Sequence, residues 1–289
     1  MRNQALFFVS ALSFAGCAKH AATYEQATAT GTAEQSTALF QEGQALWEGR
    51  DDDANLTAAL EKFEAAYNAD PTNRDAAIML TRGWYWQGDV KLSEDEAKLE
   101  AWNTAVEWGG RCMAVNSEFT DLLQKGDESE RTAIRAMKVE DVGCLYWTAS
   151  ALGKWAKLHG FGTLLKHKDT VKAYITRVGE LDGAYFYAGP DRYWGAYYAV
   201  APSFAGGDLT VSVKHFDKSI EAQPGYLGTK VLKASLYATK MQDQAMFDQL
   251  LDEVLAADAD AIPELGPENR AEQNKAKNLK AKKSDFFAN

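Results

Sequence analysis

From residue 33 onward, apolar residues recur every three to four positions and no run alternates with the period of a strand. A first helix is predicted over residues 33–48, with Leu39, Gly43 and Leu46 on one side. A second covers 55–69, where Leu56, Ala59, Leu60, Phe63, Ala66 and Tyr67 form the apolar face. Asp70-Pro71-Thr72-Asn73 ends it, because proline cannot continue a helix and Asp and Asn favour turns. Further helices are predicted over 74–87 and 93–115, the latter opened by Ser93 with Glu96 three residues on, a capping-box spelling. Residues 130–158 read as one long helix with two apolar stripes, the pattern of an inner helix packed on both sides. Residues 243–256 give the cleanest amphipathic pattern, and the tail from Pro267 reads as a polar, Lys-rich helix ending in Phe286-Phe287.

Two segments share a finer pattern. Ala59, Phe63, Ala66 and Pro71 stand at offsets of 4, 7 and 12, as do Ser212, Phe216, Ser219 and Pro224. A small residue, an aromatic, a small residue and a closing proline at these offsets match the second half of a tetratricopeptide (TPR) repeat. The small residues let helices approach, the aromatic fills the gap to the next unit, and each unit leaves a face for its neighbour to cover. The fold class is therefore all-α, a TPR-like α-solenoid with an additional C-terminal helix over 33–289. The repeats are degenerate, and an insertion over 50–55 interrupts the first.

The N-terminus follows a different rule. Arg2 precedes a short apolar run from Ala5 to Leu12, then Ala15-Gly16-Cys17. The run is far shorter than the roughly 20 apolar residues of a membrane span, so it reads as an export signal over 1–16. Small residues before a cysteine resemble a lipobox, which makes Cys17 the expected lipidation site. Residues 17–32, rich in Ala and Thr, read as a flexible tether.

Composition narrows the function. A net charge of −10 disfavours nucleic acid and anionic lipid, so membrane attachment is expected through the lipid anchor alone. Cys112 and Cys144 remain as an even pair in an oxidising compartment, either bonded or packed as two buried thiols. The four histidines lack metal-ligand spacing, and no nucleophile elbow, phosphate loop or zinc-protease motif occurs. Asp51-x-Asp53-x-Asn55 has Leu56 and Lys62 where a calcium loop needs Gly and Glu, and reads as an acidic loop. Neither an enzyme nor a cofactor is expected.

The stretch from Leu181 to Ile220 is dense in aromatics, glycine and proline. Gly189-Pro190 breaks the chain before a helix with Asp191 and Arg192 in its first turn, and Asp208 is a plausible N-cap after Gly206-Gly207. The cluster of Tyr193, Trp194, Tyr197 and Tyr198 either packs a core or lines a pocket for a hydrophobic or amphipathic ligand. In the second case Arg192 is available for a carboxylate.

Gly-Pro-x-Arg-x-x-Gly from Gly189, Pro-x-x-x-Gly-Gly-Asp from Pro202 and His-Phe-x-x-x-Ile from His215 together resemble the T-component family of tripartite ATP-independent periplasmic (TRAP) transporters. Similarity extends from about residue 35 to the C-terminus, including Leu145 to Ala149 and Asn274-x-Ala276-Lys277. The resemblance implies a TPR-like periplasmic lipoprotein that forms a homo-oligomer, a trimer, and binds the substrate-capturing P component. Ala18 after the cysteine points to the inner leaflet of the outer membrane. The alternative is a generic TPR lipoprotein that scaffolds envelope assembly, which has no need of the region from Gly189 to Leu209.

Overall fold

The computed structural model describes Tyr24, residues 27–125 and residues 128–287. The expected signal peptide and Cys17 lie outside these residues. Among the described residues the fold is all-α, with thirteen α-helices and no strand. They are α1 (Ala33–Glu48), α2 (Asp53–Ala69), α3 (Arg74–Trp86), α4 (Asp95–Ala114), α5 (Ser117–Gln124), α6 (Glu130–Ala133) and α7 (Val142–His159). There follow α8 (Phe161–Leu181), α9 (Tyr185–Val200), α10 (Leu209–Ala222), α11 (Gly228–Leu232), α12 (Gln244–Ala256) and α13 (Gly266–Ala281). Two π-helical turns, Gln87–Lys91 and Lys233–Ala238, extend α3 and α11.

Short connections make successive helices pack as neighbours, so the chain builds a stacked array. The TPR signature acts through two matched contacts. A Cβ on Gly43 of α1 would stand 2.7 Å from the Phe63 ring of α2, and a Cβ on Gly195 of α9 would stand 2.7 Å from the Phe216 ring of α10. In each pair a glycine on the first helix makes room for an aromatic on the second. Both phenylalanines are fully buried, each stabilising its unit by about 1.5–3 kcal/mol of apolar burial.

Caps fix the helix starts. Asp52, Asn73, Asn116, Asp208 and Asp243 accept hydrogen bonds from backbone N–H groups in the first turns of α2, α3, α5, α10 and α12. The acidic residues around the 50–55 insertion are used this way too. Asp52 caps, Asp51 pairs with Arg270, and Asp53 lies 2.7 Å from Lys91.

The structure corrects three expectations. Residues 130–158 are not one helix: α6 ends at Ala133 and α7 starts at Val142. The break is held by the buried Asp141 carboxylate, which accepts from Lys138 N at 2.9 Å and Asn116 Nδ2 at 2.7 Å and pairs with Arg74 at 2.8 Å. The Ser93–Glu96 capping box does not form, because the helix starts one residue later with Glu94 as its N-cap and the Ser93 hydroxyl donates to the Glu94 carboxylate. The described end of the expected tether is docked, not free. Thr30 and Gly31 N–H groups donate to the carbonyls of Asn68 and Ala69, and Tyr24 meets Phe119 edge-on at 5.4 Å. These bonds occupy carbonyls at the C-terminus of α2 that helix geometry leaves open.

The C-terminal helix closes the array. α13 returns to the first units, where Glu268 pairs with Arg50 and, at 2.7 Å, with Arg82, while Lys275 pairs with Asp89 at 2.7 Å. Among the described residues no helix is long and apolar enough to cross a membrane.

Candidate functional site

Beside α13 lies a cleft of two compartments, each partly open to solvent. The first, about 500 Å3, lies between α3 and its π turn, α7, α11 and α13. The second, about 470 Å3, lies between α7, α8 and α9. They adjoin at Tyr85, Tyr146, Ser150, Lys154, Arg192, Leu232 and Ser235, which line both. Each volume falls within the roughly 300–1,000 Å3 of small-molecule sites. Both π turns contribute to the walls, the first through Asp89 and Val90 and the second through Ser235. Such turns re-aim side chains and recur at functional sites.

The first compartment is charged, with Arg82, Lys154, Arg192, Lys275 and Lys282 set against Asp89, Glu268 and Glu272. Asp89 pairs with both Lys154 and Lys275, and Lys275 also meets Glu272 at 2.7 Å. Burial alone would raise the Asp89 carboxyl, but the two ammonium groups outweigh it and hold it well below the usual carboxylate range. Burial likewise works against the charge on Lys275, and Asp89 with Glu272 overcomes it, leaving the ammonium well above its ordinary pKa. Around Glu268, Arg82 lies 5.1 Å from the Trp47 ring, 5.2 Å from Trp147 and 4.9 Å from Phe186. Burial lowers the Arg50 pKa despite the Glu268 carboxylate.

The wall between the compartments is built from the Gly-Pro-x-Arg motif. Phe186, Tyr187 and Ala188, at the start of α9, adopt left-handed φ values of 44°, 56° and 55°. Such a conformation costs an L-residue roughly 1–2 kcal/mol, so three in succession need support. Arg192 supplies it. Its guanidinium donates to the carbonyls of Tyr187 at 2.9 Å and Phe186 at 3.0 Å, and to the Tyr146 hydroxyl at 2.8 Å. It also lies 4.2 Å from the Tyr226 ring centre. Burial opposes its charge, but Tyr146 and Tyr226 favour it, and its pKa lies above the ordinary value. Gly189 is required by space, since a Cβ there would stand 2.6 Å from the Tyr146 ring. Phe186 turns into an aromatic nest, 4.5 Å from Trp147 and 5.6 Å from Tyr226. The Tyr187 hydroxyl donates to Glu264 at 3.0 Å, and burial with this bond pushes its pKa up to about 12.

The neighbouring motif residues join α9 to α10. Asp191 meets His215 Nδ1 at 2.8 Å and the Lys218 ammonium at 2.9 Å. The His-Phe pair thus ties α10 to α9, His215 through Asp191 and Phe216 against Gly195.

The cluster singled out from sequence divides by helical rotation. Tyr193 and Tyr197, one turn apart, line the second compartment, and Arg192 lines both. Trp194 and Tyr198 line neither. They form the adjoining stripe of α9, with Tyr198 stacked on His215 at 5.8 Å. Cys112 and Cys144 are joined in a disulfide between α4 and α7, with Cα atoms 5.5 Å apart. The walls also contain residues that the sequence pattern did not single out for a site, among them Asp89, Lys154, Tyr226 and Lys275. A signal for Tyr85 existed in the Trp84-Tyr85-Trp86 run, since three consecutive aromatics cannot all face one core.

A protein of Treponema pallidum (strain Nichols), described only as uncharacterized, is 26% identical to this chain over 268 residues, covering 82% of this chain and 81% of that protein. The family described as TRAP transporter T-component matches residues 53–287, a span that runs from the start of α2 through α13 and contains both compartments. With four-fifths of its length matched, including every wall of the cavity, the chain belongs to the T-component family of TRAP transporters.

Proposed function

We propose that this protein is a lipid-anchored, periplasm-facing T component that scaffolds the substrate-binding P component of a TRAP system and holds ligand in its two-compartment cleft. The observation that carries the reading is the cavity wall. The Gly189–Arg192 motif spends three strained residues and a buried guanidinium on shaping a space, which core packing alone does not require. The ligand is hydrophobic or amphipathic, because one compartment is lined mostly by apolar and aromatic residues, among them Tyr193, Tyr197, Leu232 and Val171. The anchor is Cys17, in the inner leaflet of the outer membrane, and the working form is a homo-oligomer, a trimer. The role is that of a transport accessory without catalysis.

The test is affinity purification of the tagged, lipidated protein from its native envelope, followed by mass spectrometry. Recovery of a TRAP substrate-binding protein is expected. Recovery of cell-wall or secretion machinery without such a protein would favour the envelope scaffold. Cys17→Ser should move the protein to the soluble fraction, and sedimentation of the purified protein should give a single oligomer near three chains.

A further inference from the structure

The two compartments differ in charge. The first contains Asp89, Glu268 and Glu272 among its walls, each paired with Lys or Arg. The second has Lys154, Lys157, Lys168 and Arg192 on its walls and no carboxylate at all. Two of these cations are already engaged. Lys154 pairs with Asp89, and Arg192 holds Tyr146 and the left-handed turn. Lys168 has a loose contact of 3.8 Å with Asp169. Lys157, among the described residues, has no acidic partner within ion-pairing distance, and the charge acting on it is the like-signed Lys154. It keeps solvent access at the mouth while the surrounding walls displace much of its hydration, and burial followed by Lys154 lowers its pKa.

Inward from these lysines the surface is apolar. Ala149, Leu164, Val171, Tyr193, Ala196 and Leu236 surround the space. A cationic rim on which Lys157 has no acidic partner among the described residues, above an apolar interior, matches one kind of solute: a single chain with an anionic head. We infer that the second compartment takes a single-chain amphiphile with an anionic head, its tail against Tyr193 and Ala196 and its head at Lys157 and Lys168. In the first compartment the cations Arg82, Lys154 and Lys275 are already held by the three carboxylates, so the same head would have to compete with them. This inference deepens the reading of the cavity as a ligand site and rests on it, but it is tested without a P component.

The experiment is calorimetric titration of the purified full-length protein with decanoate, dodecanoate and tetradecanoate. Matched probes are dodecanol, dodecyltrimethylammonium and a dodecanoyl lysophosphatidate. The acids should bind, with affinity rising about fourfold per methylene until the tail space is filled, the increment expected for burying one CH2. Dodecanoate should bind at least about tenfold more tightly than the alcohol, and the trimethylammonium should not compete. Preference for the free acid over the lysophosphatidate assigns a carboxylate head, and the reverse preference a phosphate head; either supports the anionic assignment.

Lys157→Glu should weaken dodecanoate about tenfold or more, Lys157→Arg should retain it, and Ala196→Trp should abolish it by filling the tail space. Circular dichroism of each variant separates loss of binding from loss of fold. Equal binding of acid, alcohol and cation would overturn the assignment of the head, and binding indifferent to Ala196→Trp would overturn the compartment. If no amphiphile binds while a TRAP binding protein still co-purifies, the inference fails and the accessory role stands.

Discussion

Replacing Glu268 with alanine should loosen the closure of the array. Glu268 sits between two guanidinium groups, with side-chain exposures of 6% for Glu268, 3% for Arg50 and 19% for Arg82. Removing the carboxylate leaves Arg50 with the carbonyls of Trp47 and Glu264 and the weaker influence of Asp51, and leaves Arg82 against aromatic faces. Taking one partner from a buried ion pair costs about 3–5 kcal/mol, because the remaining charge stays desolvated. For a domain of this size each kcal/mol shifts the melting temperature by about 2–4 °C, so Glu268→Ala should lower it by roughly 6–20 °C. Thermal unfolding followed at 222 nm reads the shift, and hydrogen exchange on α13 reports whether that helix detaches first. Replacing all three residues with apolar side chains of similar volume should recover most of the loss, since no unpaired charge remains. A loss below about 1 kcal/mol, the range of an exposed ion pair, would refute the reasoning and leave apolar packing to hold α13 in place.

Other outcomes follow from the same geometry. Asp89, whose pKa is depressed in the folded state, should contribute stability that is fully present above about pH 5 and lost as pH falls through the ordinary carboxylate range toward its lower folded value. Asp89→Asn should therefore destabilise at pH 7 and only somewhat less at pH 3, most of the contribution being lost below that, as read by urea unfolding at both pH values. Gly43→Ala and Gly195→Ala should each cost about 1–3 kcal/mol by crowding Phe63 and Phe216, and pairing Gly195→Ala with Phe216→Leu should relieve part of the cost in a double-mutant cycle. Reducing the disulfide, which closes a separation of 32 residues, should cost about 3–4 kcal/mol and should be visible as a lower denaturation midpoint in dithiothreitol.

The helices were legible because their signal is local. Leu250, Leu251 and Val254 announce α12, and Phe63 and Phe216 announce the repeat, through spacing alone. What sequence spacing missed depends on residues far apart in the chain. Asp89 meets Lys275 across 186 positions, and no periodicity relates them. The π turn at Gln87–Lys91 has the composition of a loop, so Asp89 gave no hint of lining a cavity. Phe186, Tyr187 and Ala188 are residue types that avoid positive φ, so nothing in their identity marks the left-handed turn. Arg192 was recognisable as part of the motif, but its engagement with the carbonyls of that turn was not.

The return of α13 also changes how such a chain must fold. An open array of repeats can nucleate anywhere and loses its end units independently, because each unit touches only its neighbours. Here Arg50 and Glu268 meet across 218 positions, so the last helix supports the first units. Closing that loop comes late and carries an entropic cost that neighbour-by-neighbour stacking avoids. Once closed, the ends no longer fray separately, and α3 shares the cooperativity of α13. Deleting α13 should then reach backward to destabilise α3, at the opposite end of the sequence.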